Sequence, residues 1–518
     1  MRSIFSLIID GEHSILFSSL IVLALIICLG ALGYHYIVYP VYHGPFSHIP
    51  GPWLSKITGR HLVWHELFLR RNDQIFTWHQ QYGPIVCIGP NEVSTATLQD
   101  THKIYSSTSR WEKSSYFDYF MGYHDRSIFA TKPYEAHRER RKVTSGFYQA
   151  SSIYKRPEIE GQVRALTCAV QQQVSRRYDP VKKAAEIDIY CLADWFALDV
   201  ITHLALGPRN CTQTVDSDCM ERRILLDLKY LQLWGPFRLR FPLLFDCFSR
   251  LLTALSPRYN YLHAEDRFSN WCLTRFDAAM RDPEVYASHS LLRRLLENRS
   301  DQRLGYTYMA AEVLDNINAA HATVAVTVTY LVWCLTSNPE WQDKVRHELR
   351  QLRPLEDGLP SFADIDSVPV LEACLREVYR LHPASSGRAE RIVPDGGCVL
   401  AGHYVPAKAV ATTSVVSLHR DPKIFPEAER FLPTRWLEGT KDELKTRDAH
   451  IIPFGYGGRI CLGKSLATME IKLLAAGIYL QYETQLSARS TAESMKQAST
   501  HDAVPELLQC IVKFRKVK

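Results

Sequence analysis

The chain has 518 residues, 46% hydrophobic and 22% charged, so it is long enough to bury a large core and too apolar to be disordered. Its formal charge of +6 is small for that length, and no nucleic-acid-binding signature occurs, which excludes a nucleic-acid partner. Thirteen scattered cysteines, an odd number with no C-x-x-C pair, exclude a zinc or thioredoxin-like motif and fit a reducing compartment.

No Lys, Arg, Asp or Glu occurs between Glu12 and Lys56. Inside that gap Ile15 to Gly33 is an uncharged, Leu/Ile-rich run of about the 20 residues a bilayer span needs. It is longer than the apolar core of a secretory signal, and no clear small-residue cleavage site follows it, so it reads as a retained anchor. Tyr34, Tyr36 and Tyr39 fit an interfacial aromatic belt. Arg2, Asp10 and Glu12 precede the span and Lys56, Arg60, Arg70 and Arg71 follow it, which puts the body on the cytosolic side. Pro50-Gly51-Pro52 stops any helix. Residues 1–39 are therefore expected as a membrane anchor, 40–60 as a stiff Pro/Gly hinge and 61–518 as the body of the protein.

Along the body a helix is expected over Asn72–Gln81, then two short strands, Ile85–Ile88 and Glu92–Thr97, around a Gly-Pro-Asn turn. Most segments from Tyr134 to Met280 have helical periodicity. Trp234, Phe237 and Phe241 offer a second apolar contact for a membrane. Thr307–Ser337 reads as one long helix ended by Asn338-Pro339; it is apolar almost all round and should be buried. Further helices are expected from Pro339 to about Leu352, over Val370–Leu381 and over Leu462–Tyr482. Val399–Ser414 carries strand-like runs broken by Gly402 and Pro406, and Cys510–Val517 alternates like a strand. The sum is a mainly α body with small β-sheets, behind one N-terminal transmembrane helix.

Near the carboxyl end, Phe454-Gly455-Tyr456-Gly457-Gly458-Arg459-Ile460-Cys461-Leu462-Gly463 is a glycine-rich loop that runs into a helix at a single cysteine. Glycine lets backbone approach a flat cofactor closely and adopt positive φ. Backbone N–H groups at the start of the helix, with Arg459 two residues away, can stabilise a thiolate. Such a thiolate suits a nucleophile or a metal ligand; a lone cysteine is otherwise structural. The segment fits F-x-x-G-x-R-x-C-x-G at every fixed position and resembles the haem-binding loop of the cytochrome P450 superfamily. Glu377-Val378-Tyr379-Arg380 resembles the E-x-x-R of that family, and Pro433-Thr434-Arg435-Trp436 resembles its P-x-R-F/W segment. Pro50-Gly51-Pro52 after an anchor is similar to its microsomal members. The likeness covers the whole chain, and in texture it is nearest to filamentous-fungal members of secondary metabolism.

The resemblance implies a cytochrome P450 fold and a haem-thiolate domain over 61–518. It implies haem b with Cys461 as axial ligand of the iron and Phe454 against the cofactor. It places Arg459, Arg391 and Arg138 at the propionates. Arg138 stands where the family often has W-x-x-x-R, with Tyr134 in place of the Trp; the other reading is a plain basic helix face, since Arg140, Arg141 and Lys142 follow. Those three are expected to help dock an acidic reductase. Glu377 and Arg380 share a helix face by spacing, which alone is most often a solvated pair. In the family they form a buried network joined by the later arginine, here Arg435.

Asn316 to Thr323 stands where the family has A/G-G-x-D/E-T, on the helix that crosses the haem on its oxygen side. Ala319, Ala320 and Thr323 align by i,i+3/i+4 spacing, and Asn316 lies seven residues before Thr323 on the same face. Thr323 is expected as the catalytic residue, hydrogen-bonding to dioxygen; the other reading is a threonine bonded back to its own helix. Ala320 replaces a glycine, and Ala322 replaces the acid that takes part in proton delivery. His321 lies about 200° around the helix from Thr323 and points away. It therefore ranks last as a proton source, behind water held by Thr323 and Asn316 or a hydroxyl on the substrate. Asn316, Ala319, Ala320 and Ser385, with Trp111, Tyr116 and Phe117, are expected to line the substrate pocket.

The expected protein is a single-pass endoplasmic-reticulum enzyme with a cytosolic catalytic domain, a haem-thiolate monooxygenase. It inserts one oxygen atom of O2 into a small, mostly apolar organic substrate, by hydroxylation, epoxidation or a related oxidation in secondary metabolism. Electrons are expected from NADPH through a flavoprotein reductase. The alternative is a haem-thiolate isomerase or dehydratase that consumes no dioxygen; Ala322 admits it and Thr323 weighs against it.

Overall fold

The computed structural model describes residues 2–286, 288–298 and 304–517. Helix α1 (Arg2–Gly33) runs on past the expected span, through a π-helical turn at Tyr34–Val38 and a short α-helical turn at Tyr39–Tyr42. No side chain from Ser18 to Tyr42 is buried. That apolar stretch of 25 residues is about 38 Å long at 1.5 Å per residue, enough to cross a hydrocarbon core of about 30 Å with tilt.

In chain order the elements that frame the site are β1 (Ile85–Gly89), β2 (Glu92–Thr95), β3 (Glu112–Lys113), α2 (Tyr134–Tyr148), β4 (Ala185–Asp188) and α3 (Ile189–Leu206). Then come α4 (Met220–Gln232), α5 (Pro242–Leu255), α6 (Tyr306–Ser337), α7 (Pro369–Leu381) and β5 (Arg391–Ile392). The chain closes with β6 (Cys398–Leu400), β7 (His403–Val405), β8 (Val410–Thr413), α8 (Lys464–Gln481), β9 (Tyr482–Leu486) and β10 (Ile511–Lys516). The expected strand at Glu92 ends two residues early because the Thr97 hydroxyl caps the next helix, accepting the N–H of Asp100 at 3.0 Å. The helix expected from Leu462 starts at Lys464, after the loop has closed.

Length and apolarity alone would let α3 and α6 cross a membrane as well as the N-terminal helix. They are instead mostly buried, and they pack along each other as the spine of the large core. A helix apolar all round needs an apolar surround, and here the other helices supply it. β1, β2, β8, β5 and β3 form one sheet in that order, with β2 and β8 parallel and Ser94 opposite Thr412. β10 lies between β4 and β9, and β6 pairs with β7. The protein is mostly helical with small sheets, as the periodicity indicated.

Phe46 and Ile49 are buried against the first sheet, and the Pro50 carbonyl accepts the Cys87 N–H at 2.7 Å. At Gly51, φ is +148°, and a Cβ would stand 2.7 Å from the Cys87 carbonyl oxygen, so only glycine fits. The Pro-Gly-Pro segment is thus docked on β1.

The second apolar surface needs correction. Trp234 and Phe237 are tucked against Leu231, Phe245 and Leu262, which leaves only Phe241 of the expected three exposed. The outward apolar stripe belongs to α5, where Leu243 is 81% and Leu255 is 72% exposed, with Leu244 and Leu251 beside them. α5 turns Phe245 onto the protein and leaves these leucines, with Phe248 at their edge, on the surface.

Candidate active site

The loop before α8 is closed by the Cys461 N–H, which donates to the Phe454 carbonyl at 2.9 Å. Gly457 has φ +69°, and a Cβ there would fall 2.0 Å from the Tyr105 carbonyl oxygen. That glycine is demanded by the neighbouring chain at Tyr105–Ser106. The Cys461 side chain is accessible yet surrounded by protein. Burial raises its thiol overall; the N–H groups of Gly463 and Lys464 at the α8 N-terminus, and the charges of Arg141 and Lys464, act the other way without cancelling it. The cation that faces the sulfur across the fold is thus Arg141. Arg459 donates to the carbonyls of Thr131 at 3.0 Å and Lys132 at 2.9 Å. The Phe454 ring meets Tyr379 edge-on at 5.2 Å, on α7.

Behind the loop, α7 holds Glu377 and Arg380, both fully buried. The Arg380 guanidinium donates to both Glu377 oxygens, at 2.9 and 2.7 Å, and to the carbonyls of His419, Ala428 and Arg430. Glu377 also accepts from Arg435 at 3.3 Å, from the Leu432 N–H at 3.0 Å and from the Trp436 indole at 3.0 Å. The Trp436 bond, invisible in E-x-x-R spacing, saturates the carboxylate.

A second cluster is short of acids. Lys113, His137, Arg141, Arg391 and Arg459 lie within electrostatic reach of one another. His137 is pushed down to about 2, first by burial and then by Arg459, Lys113, Arg141 and Arg391. Arg459 is lowered to about 9 by burial and by Arg391. Arg391, on β5, is held by the carbonyls of Ala389 and Glu390 and lies over the Tyr105 ring. Lys113, on β3, is lowered by burial and by Arg391 and Arg459, with Asp315 opposing. Five nitrogen groups packed this way call for anionic oxygens between them.

Arg138 is not part of this cluster. It faces solvent and pairs with Glu135 at 3.2 Å. On α2 the inward face carries His137 and, four residues later, Arg141, so the expectation at Arg138 is one residue out of phase. The expected reductase patch also disperses around this helix. Arg140 bonds inward to Thr131 and lies over the Tyr308 ring, Arg141 faces the thiol, and only Lys142 of the three is exposed, paired with Glu139 at 2.7 Å.

On α6 the residues from Tyr308 onward are largely buried, but Asn318 and Ala319 are accessible, flanked by partly accessible Asp315, Asn316, Ala320 and Thr323. The Thr323 hydroxyl donates to the Ala319 carbonyl at 2.8 Å. Asn316 is engaged on both sides: its oxygen accepts the Tyr148 hydroxyl at 2.8 Å, and its amide donates to the Glu312 carbonyl at 2.7 Å and carboxylate at 3.1 Å. His321 turns to the other face of the helix, where its Nδ1 meets Asp194 at 2.6 Å, and Asp194 meets Lys229 at 3.1 Å. Tyr116 reaches His501 at 3.2 Å, Phe117 and Trp111 are buried, and Ser385 is exposed. The spacing of His137 and Arg141, and of Glu312 and Asn316, was the available signal for the residues that motif reading passed over.

A sequence model described as cytochrome P450 matches residues 52–506. The chain is 34% identical over 475 residues to cytochrome P450 monooxygenase FGM1 of Gibberella zeae, covering 91% of this chain and 93% of that one. It is 28% identical over 478 residues to cytochrome P450 monooxygenase stcB of Emericella nidulans, covering 91% and 89%. It is 26% identical over 496 residues to cytochrome P450 monooxygenase aflV of Aspergillus parasiticus, covering 92% and 93%.

Proposed function

The chain belongs to the cytochrome P450 family, and from that premise we propose that it holds haem b through Cys461 and inserts one oxygen atom of O2 into a small, mostly apolar organic substrate. The observation that carries the reading is the mutual crowding of Lys113, His137, Arg141, Arg391 and Arg459, of which Arg141 also faces the accessible Cys461 thiol. Two propionates meet that need for anionic oxygens. Haem bound there supplies the electron-transfer and dioxygen chemistry, with thiolate ligation favouring O–O cleavage.

The chain's own residues have separate tasks. The α8 N-terminus, Arg141 and Lys464 oppose the burial that raises the thiol, and a bound iron would complete its ionisation. Glu377, Arg380 and Arg435 fix the region behind it. Ala319 and Asn318 leave room on α6. Thr323, whose own proton goes to Ala319, presents its oxygen to accept a hydrogen bond. The net change is RH + O2 + NADPH + H+ to ROH + H2O + NADP+, with NADPH electrons arriving through a flavoprotein reductase. The fungal relatives support a place in secondary metabolism. Reconstitution with a reductase under labelled dioxygen, on extracts of the host with and without the gene, tests this reading. Product formed without uptake of the label would replace it with the isomerase.

The placement of the cations has its own test. Arg141→Ala should speed haem transfer to apomyoglobin about tenfold or more, the worth of a charge-assisted bond. Arg138→Ala should leave it unchanged; equal acceleration by both would contradict the inward phase of α2.

For the membrane we propose a single pass in the endoplasmic reticulum with the body in the cytosol. Deleting residues through Tyr39 should release much of the protein and leave the carbon monoxide band intact. The residue still attached should drop further with Leu244→Asp and Leu251→Asp together, since both lie on the exposed stripe of α5. Protease protection of the body in sealed microsomes would contradict the topology.

A further inference from the structure

Monooxygenation, on which this inference rests, takes up two protons for each O2 cleaved, and α6 carries alanine at 322, where an acid would be expected to bring them. His321 is committed to Asp194 on the opposite face. Glu312, Asn316, Ala319 and Thr323 follow one another at i,i+4, i+3 and i+4 and form a single stripe down the helix. We propose that Glu312 is the acid that feeds protons to this stripe, through water held by Asn316 over Ala319 and Ala320 as far as Thr323.

Glu312 is 1% exposed, and among the described residues it forms no ion pair with Lys, Arg or His. Its carboxylate accepts the Ile128 N–H at 2.8 Å and the Asn316 amide at 3.1 Å, and Asn316 is steadied by Tyr148. Burial raises the carboxyl, opposed by Ile128, Asn316 and Arg140, so it holds a proton more readily than an exposed glutamate. Beside it the Tyr308 hydroxyl is buried, and burial together with the adjoining Glu312 carboxyl raises the phenol. Asp315 also faces Glu312, and their mutual repulsion with burial lifts Asp315 to about 7.

The far end of the chain reaches solvent. Arg140 lies over the Tyr308 ring at 4.5 Å and stands 3.8 Å from Asp125, both of them partly exposed. From Asn316 to Thr323 is about 10 Å along the helix, which about three hydrogen-bonded waters span. Accessible Ala319 supplies the room. Glu312 gives its proton to the first water and is recharged from solvent past Tyr308 and Asp125.

The experiment needs no substrate. The haem-loaded protein and its reductase are given NADPH, and NADPH, O2 and peroxide are counted. Water formation is O2 + 2 NADPH + 2 H+ to 2 H2O + 2 NADP+; leakage is O2 + NADPH + H+ to H2O2 + NADP+. Glu312→Gln keeps an acceptor for Ile128. It should slow NADPH use about tenfold or more, raise the solvent deuterium isotope effect and shift the balance to peroxide. Glu312→Asp should recover part of the rate. The infrared difference between wild type and Glu312→Gln should contain a carboxylic-acid carbonyl band. Unchanged rate, isotope effect and peroxide share would overturn the proposal. Should Glu312→Gln fail to load haem, Asn316→Ala decides in its place, with the same slowing expected and an unchanged rate fatal. Wild-type protein that consumes no O2 would sink the monooxygenase reading itself.

Discussion

Replacing Cys461 with alanine abolishes both the red-shifted Soret band of the reduced carbon monoxide complex and turnover. The effect is all-or-none because no other sulfur has the same setting. Cys87, Cys272, Cys334, Cys374 and Cys510 are buried, and burial raises each of these thiols. Cys461 combines access with a helix N-terminus and an arginine facing it from another helix; Cys219, which also precedes a helix, is raised by burial and by Glu221 on its own helix. The loop itself should survive, since its closing bond runs from the backbone N–H of residue 461 to Phe454. Circular dichroism should therefore stay native while the band disappears. A Cys461→Ala protein that keeps the band would show that the ligand lies elsewhere.

The second large effect is at Glu377. Its two oxygens receive Arg380 twice, Arg435, Trp436 and the Leu432 N–H, all without solvent. Glu377→Ala leaves a fully buried guanidinium uncompensated, at a cost of about 3–5 kcal/mol. Folded domains hold about 5–15 kcal/mol in all, so the variant should be largely unfolded or free of haem at 37 °C. Glu377→Gln keeps the hydrogen-bond acceptors at one oxygen and should lose less. Trp436→Phe removes a single bond to a charged acceptor, about 1.5–3 kcal/mol. Thermal unfolding followed at the Soret band ranks the three. Equal melting of Glu377→Ala and wild type would mean that the network contributes nothing to the fold.

Much of this was present in local spacing. The order of a glycine-rich loop and a cysteine before a helix put Cys461 at an N-terminus. The i,i+3 interval put Glu377 and Arg380 on one face. The rotation of 100° per residue sent His321 away from Thr323. The sequence could not say that Asp194, itself paired with Lys229, would meet His321 there, because the two arrive from α3 and α4.

Composition and periodicity by themselves determined the exposed apolar N-terminal helix, the buried long helix, the mainly helical fold and the thiol loop, because each depends on neighbours within one or two turns. The tertiary structure decided what faces what. In Tyr134–Tyr148 basic residues occur on every side, so periodicity says that His137 and Arg141 share a face but not that this face is inward. β3, β5 and the glycine-rich loop settle it, by bringing Lys113, Arg391 and Arg459 against that face. Likewise Gly457 is fixed by Tyr105, and Glu312 becomes a buried acid only because the Ile128 turn folds over it. A side chain's burial and charge state are set by atoms hundreds of residues away in sequence. The same basic helix would present a different face to a different neighbour.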